Sequence, residues 1–82
     1  MRTLTSHILL LKYRHDPACV FSRVSVWYLD RGAPGDRSCA EGDDILVLEA
    51  YYFEIASSRG TKYIPYHRIR KIAYDGVMVW ER

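Results

Sequence analysis

The sequence predicts an α+β fold: one N-terminal helix packed on a curved antiparallel sheet of about four to five strands, with barrel-like curvature. Three observations predict it. A single helix-period apolar run stands near the start and is cut off by Asp16-Pro17. The chain after it is rich in β-branched and aromatic runs separated by turn residues. Near its end, Asp75-Gly76 sits between two alternating runs, the strongest short-range hairpin signal.

The helix is expected over Thr3 to Arg14. Leu4, Ile8 and Leu11 fall at i, i+4 and i+7, and Thr3 or Thr5 is placed to cap it. Proline disfavours helix in the residue before it, which stops the element at Asp16. Arg23 to Asp30 reads as a strand, with Val24, Val26 and Tyr28 on one face and Ser25, Trp27 and Leu29 on the other. Arg31 to Asp36, RGAPGD, is a loop in which Pro34-Gly35 suits the central pair of a type II turn. Ile45 to Leu48 reads as a short strand or turn, Tyr51 to Ile55 as a strand, and Ser57 to Gly60 as a turn. Lys62 to Pro65 is a short extended piece, and Tyr66-His67-Arg68 leads into a strand. A type I′ turn at Asp75-Gly76 would pair Tyr74 with Val77, Ile72 with Val79 and Arg70 with Glu81. It would set Ala73 opposite Met78, Lys71 opposite Trp80 and Ile69 opposite Arg82. Ile72, Tyr74, Val77 and Val79 then form a core face, and Trp80 lies on the other face between Lys71 and Arg82.

A length of 82 residues leaves room for one domain, residues 1–82. Its 49% hydrophobic and 27% charged composition argues against disorder. A chain this short folds but has little material for a large enclosed cleft. The formal net charge of +2 permits nucleic acid without demanding it. The kind of cation is more informative: nine of twelve are Arg, whose planar fork grips phosphate with two bonds where Lys is a point charge. GC-rich coding or adaptation to heat would produce the same bias. No run is long enough to span a membrane, and Ile8 to Leu11 is too short for a signal peptide. Cys19 and Cys39 form neither a metal quartet nor a CxxC pair, so a cytoplasmic protein with reduced thiols is the expectation, one disulfide being the alternative.

No cofactor or metal motif is present. His7, His15 and His67 lack ligand spacing, and GAPGD lacks the GK[ST] ending of a phosphate-binding loop. Two basic-aromatic clusters remain. Tyr66-His67-Arg68 combines a ring for stacking, a hydrogen-bonding imidazole and a cationic fork; Lys71, Trp80 and Arg82 form a second set. Proteins that read single-stranded RNA use such rings to stack bases and such cations to hold phosphate. The same residues equally suit a core-edge tryptophan with a lysine stem lying along it, and a surface strand. Gly32 and Gly35 expose amides that suit an anion nest beside Arg31, while a plain turn closed by an Arg31–Asp36 pair is the other reading.

Three stretches in order resemble a known family: Asp30 to Asp36 (DRGAPGD), Tyr63 to Ile69 (YIPYHRI) and Asp75 to Arg82 (DGVMVWER), after Lys12-Tyr13 and Asp16-Pro17. Together they resemble the RNA cyclic group end recognition domain, a family of small, mostly archaeal proteins also found fused to RNA-processing domains in eukaryotes. In the first segment Arg14 and His15 separate Tyr13 from Asp16, where the family pattern sets the aromatic beside the Asp. The resemblance implies a non-catalytic module that binds RNA 3′ ends bearing a 2′,3′-cyclic phosphate, in RNA processing or repair. Taken with the two basic-aromatic clusters, which add Tyr66 and Lys71, it suggests as RNA-binding residues Arg31, Gly32, Gly35, Tyr66, His67, Arg68, Lys71, Trp80 and Arg82. His67, Arg68 and Arg31 would hold the phosphate, and Trp80 or Tyr66 would stack the base. Two other expectations stand beside it: a small phosphoesterase or ribonuclease using His67 with another His or Lys, and an adaptor that joins an RNA-processing protein partner through its tyrosines.

Overall fold

The computed structural model describes residues 5–82. Helix α1 spans Ser6–His15, and the Thr5 side chain caps it by accepting from the Ile8 amide at 3.2 Å. It ends where expected, with the Asp16 amide closing on the Lys12 carbonyl. The buried face differs from the expected one. Ser6, Leu9 and Leu10 face inward with Tyr13 packed beside them, while Ile8 is 48% exposed. Residues 6, 9, 10 and 13 obey i, i+3, i+4, i+7. The run Ile8 to Leu11 is apolar on every side of the helix, so its own periodicity selects no face. Thr3 and Leu4, part of the expected helix, lie outside the described residues.

The described residues form seven strands: β1 Val24–Leu29, β2 Arg37–Glu41, β3 Ile45–Leu48, β4 Tyr52–Ser57, β5 Gly60–Pro65, β6 Ile69–Tyr74 and β7 Val77–Glu81. They make two antiparallel sheets, ordered β2-β1-β6-β7 and β3-β4-β5. This corrects the single sheet of four to five strands, and neither sheet closes into a barrel. Strand β2 escaped expectation because RSCAE contains no β-branched or aromatic residue. It forms because β1 offers an open edge, pairing Ser25 with Glu41 through Leu29 with Arg37.

One core lies between the sheets and under the helix. Val24, Val26 and Tyr28 enter it from β1, as their alternation predicts, with Ile69 and Ile72 from β6. Phe53, Ile55, Ile64 and Ile45 enter from the other sheet, and Leu9 and Leu10 from α1. Phe53, Leu10, Ile69, Ile72, Val24 and Val26 are the largest fully buried side chains. Each fully buried aliphatic or Phe contributes about 1.5–3 kcal/mol of transfer free energy.

The last hairpin carries the main departure in register. Asp75 and Gly76 take φ of 52° and 83°, as a type I′ turn requires, and Tyr74–Val77 and Ala73–Met78 pair as expected. Val79 is then an extra residue: Ile72 pairs with Trp80 and Lys71 with Glu81. This β-bulge reverses the alternation along the rest of β7. Trp80 therefore joins the face of Ile72 and packs on the core, while Val77 and Val79 are 65% and 38% exposed. The expected Arg70–Glu81 pair is replaced by Lys71–Glu81 at 4.0 Å. Leu46 in β3 and Arg70 in β6 are passed over in the pairing in the same way.

In the RGAPGD loop the Asp36 amide donates to the Ala33 carbonyl at 2.8 Å, with Gly35 at φ 67° and ψ 13°. Asp36 itself also takes positive φ, at 56°. Its carboxylate accepts from the Gly32 amide at 3.3 Å, so the loop's glycine amide is met by its own aspartate. Cys19 and Cys39 are free thiols. No described helix is long and apolar enough to cross a membrane.

Gly42 is the tightest steric position. A Cβ placed there would stand 1.7 Å from the Phe21 carbonyl oxygen and 2.6 Å from its carbon. Both obstacles are backbone, so no rotamer change relieves them. Gly42→Ala is expected to destabilise the fold by about 3 kcal/mol or more, measured as the shift in urea unfolding midpoint at constant slope; an unchanged midpoint would show that the segments slide apart freely.

Candidate functional site

The turn Tyr66–Arg68 joins β5 to β6 and so links the two sheets. Pro65 at φ −62° leads the chain into this single 3-10 turn. The Tyr66 ring goes inward. It stacks on His7 of α1 with ring centroids 4.2 Å apart and planes at 16°, and leans on Phe53 at 5.7 Å. Its hydroxyl donates to the Glu49 carbonyl at 2.6 Å, and its own carbonyl accepts from the Ser6 hydroxyl at 3.5 Å. Burial, with Glu49 nearby, pushes its phenol up to about 12. The reading of Tyr66 as a platform for a base does not match this setting, because the residue is only 9% exposed and its ring packs on both His7 and Phe53.

His67 and Arg68 leave the same turn exposed and line different concavities. His67 lines a pocket of about 250 Å³ with Thr5, Ser6, His7, Tyr66, Trp80 and Arg82. Arg68 lines a second, of about 180 Å³, with Arg31, Leu29 and Asp36. The trio expected to hold one phosphate is thus divided, Arg31 and Arg68 together and His67 apart.

Arg82 reaches the first pocket through backbone and side chain. Its amide donates to the carbonyl of the bulged Arg70 at 2.9 Å, and its guanidinium donates to the His67 carbonyl at 2.5 Å. That bond uses one of five N–H donors. Trp80 is brought there by the Val79 bulge and is half-buried. Lys71 stands opposite Glu81 and not opposite Trp80 as expected. Gly32 and Gly35 stay on the exposed loop.

His7 is the residue that sequence reasoning missed at this site. It meets Tyr66 only through tertiary packing, and no local motif announces the contact. His15, the other histidine considered as a partner for His67, lines a separate groove with Leu11, Arg14, Leu46, Val47 and Leu48.

Around the second pocket, Asp30 accepts from Ser38 at 2.7 Å and from Lys62 at 2.9 Å. These bonds hold its carboxyl below the ordinary range, with Arg68 adding a favourable charge. Lys62 comes from β5 and Asp30 follows β1, so this pair ties the loop to the other sheet. Neither thiol has an activating environment: desolvation and Asp16 push Cys19 up, and desolvation and Glu41 push Cys39 up. Among the described residues no cluster of three or more His, Cys, Asp or Glu could hold a metal ion.

A family model described as "MJ1316 RNA cyclic group end recognition domain" matches residues 1–82. A UPF0248 protein of Archaeoglobus fulgidus is 37% identical over 71 residues, covering 87% of this chain and 96% of the relative. A UPF0248 protein of Pyrobaculum islandicum is 34% identical over 53 residues, covering 65% of this chain and 63% of the relative. Another, from Pyrobaculum calidifontis, is 38% identical over 45 residues, covering 55% and 58%. No solved structure matches significantly.

The Tyr66 environment has a readable pH signature. Its phenol is raised from 10.0 to about 12 in the fold, so the neutral form is the one the fold prefers. The stability this contributes is complete below pH 10 and is lost as pH rises toward 12. Tyr66→Phe is expected to cost about 1 kcal/mol at neutral pH through the bond to Glu49 and to flatten the decline above pH 10, both read from denaturant unfolding across pH. An alkaline decline equal in the two proteins would place the phenol in an ordinary environment.

Proposed function

This chain belongs to the MJ1316 RNA cyclic group end recognition domain family, and we propose that it is an RNA-binding module whose 250 Å³ pocket receives an RNA 3′ end bearing a 2′,3′-cyclic phosphate. One observation carries the reading: two imidazoles, a guanidinium, an indole and the first turn of α1 converge on one small concavity. Its volume lies below the roughly 300–1,000 Å³ of pockets for drug-sized ligands, a scale suited to a ribose with its phosphate. A cyclic phosphate is a monoanion with two free oxygens. Arg82 supplies a fork for them, His67 and His7 supply ring N–H donors, and the helix start favours negative charge. Trp80 offers an apolar surface to the sugar or base.

A second reading has a specific support: His7 and His67 line the same pocket. A pair of imidazoles can serve as general base and general acid, one taking the proton of an attacking water while the other protonates the departing ribose oxygen. The product would be an opened phosphate monoester, so binding and turnover are separable by following the end group.

The test compares oligonucleotides differing only in their 3′ end. Wild-type protein is expected to bind the cyclic-phosphate end at least tenfold more tightly than the hydroxyl end. His67→Ala and Arg82→Ala should each weaken cyclic-end binding by about tenfold, near 1.4 kcal/mol. Lys71→Ala should change it less than about twofold, since this lysine does not line the pocket. Equal affinity for the two ends removes the end-specific reading. Ring opening seen by phosphorus NMR, and abolished by His7→Ala, moves the assignment to the phosphoesterase.

A further inference from the structure

The cations of this chain fall into two electrostatic classes. Arg23, Lys62 and Lys71 each have a carboxylate within 4.0 Å: Asp75, Asp30 and Glu81. The other described cations have none, and two of them, Arg31 and Arg68, line one 180 Å³ pocket together. Two guanidiniums that share a concavity repel unless an anion lies between them, and a protein-supplied anion is the usual remedy. The two nearest carboxylates already accept other hydrogen bonds, and only Asp36 lines the pocket. Asp30 accepts from Lys62 and Ser38, and Asp36 accepts from the Gly32 amide. The pocket lining itself carries two guanidiniums and one carboxylate, an excess of one positive charge, and the neighbouring Lys62–Asp30 pair leaves that balance unchanged.

The pocket is also tied to the first by covalent geometry. His67 and Arg68 are consecutive, with Cα atoms about 3.8 Å apart, and their side chains line different pockets. Neighbouring phosphates of a single strand are one nucleotide apart, and two side chains diverging from one turn span that kind of step.

We propose that Arg31 and Arg68 form a second phosphate subsite, which takes the phosphodiester next to the terminal group, so that the protein reads an oligonucleotide end and not a lone nucleotide. The loop then has a defined part: Gly35 and Asp36 in positive φ turn the chain sharply after Arg31, and Asp30 fastens the loop's start to β5 through Lys62. Arg at both positions suits bidentate contact with a phosphodiester's two free oxygens.

This inference rests on the end-binding reading for its placement, and three probes keep the two separate. A nucleoside 2′,3′-cyclic monophosphate tests the first pocket alone. A hydroxyl-ended dinucleoside monophosphate tests the second alone, and a dinucleotide with a cyclic 3′ end tests both. Wild type is expected to bind the cyclic-ended dinucleotide at least tenfold more tightly than the cyclic monophosphate. Arg31→Gln with Arg68→Gln should erase that advantage while leaving affinity for the cyclic monophosphate within about twofold. The slope of log K against log salt for the dinucleotide should fall by about 0.7, one single-strand phosphate contact. Both side chains are exposed, and an unchanged unfolding midpoint checks that the variant is folded. Equal wild-type affinity for dinucleotide and monophosphate, or equal losses on both ligands in the variant, overturns the subsite. Failure of the cyclic monophosphate to bind, with an Arg-dependent hydroxyl-ended dinucleotide retained, would sink the end reading and leave the subsite standing.

Discussion

The packing of the Tyr66 ring is the constraint on which the rest of the molecule depends. It sits on the only covalent step from β5 to β6, so it belongs to both sheets at once. Through His7 it holds the helix, through Phe53 the core of the three-stranded sheet, and through its hydroxyl the segment between β3 and β4. A tyrosine can do this because its apolar body fills a thin core while its tip still finds a partner. The arrangement also decides what its neighbours do. With residue 66 committed inward, the short 3-10 turn sends His67 and Arg68 outward.

The charge of the chain has to be read by placement and not by sum. A net +2 is too small to draw a polyanion on its own. Ion pairs occupy Arg23, Lys62 and Lys71, and of the remaining described cations Arg31 and Arg68 gather at one concavity and Arg82 at the other. On the end-binding reading proposed above, the size of the domain sets the style of recognition. Shallow pockets around one turn suit the grip of an exposed chain terminus, whose phosphates and sugar edge are all accessible, better than the enclosure of a whole substrate.

How much of this was legible in the sequence depends on how local each cause is. The α1 stop, the alternation of β1 and the type I′ turn are written in neighbouring residues, and the structure has them. The inward face of α1 was not legible, because four consecutive apolar residues carry no phase. Strand β2 was not, since its formation is dictated by the open edge of β1 and not by its own composition. The site divides in the same way. His67, Arg68, Trp80 and Arg82 stand in contiguous motifs, so a local reading singles them out as candidates. The place of His7 depends on packing against a turn more than half the chain away, and the separation of His67 from Arg31 depends on which way one 3-10 turn points.

The extra residue in β7 has a consequence beyond the aim of Trp80. β7 is an edge of the four-stranded sheet, and Val77, Met78 and Val79 are all exposed along it. A regular apolar edge of this kind is a template for strand addition and hence for aggregation. The bulge interrupts that template and adds local twist, a common way in which sheets protect an open edge. Site geometry and colloidal solubility are therefore coupled through one backbone insertion. A regular register that set Val79 opposite Ile72 would turn the indole outward and at the same time offer neighbouring molecules a continuous sticky border.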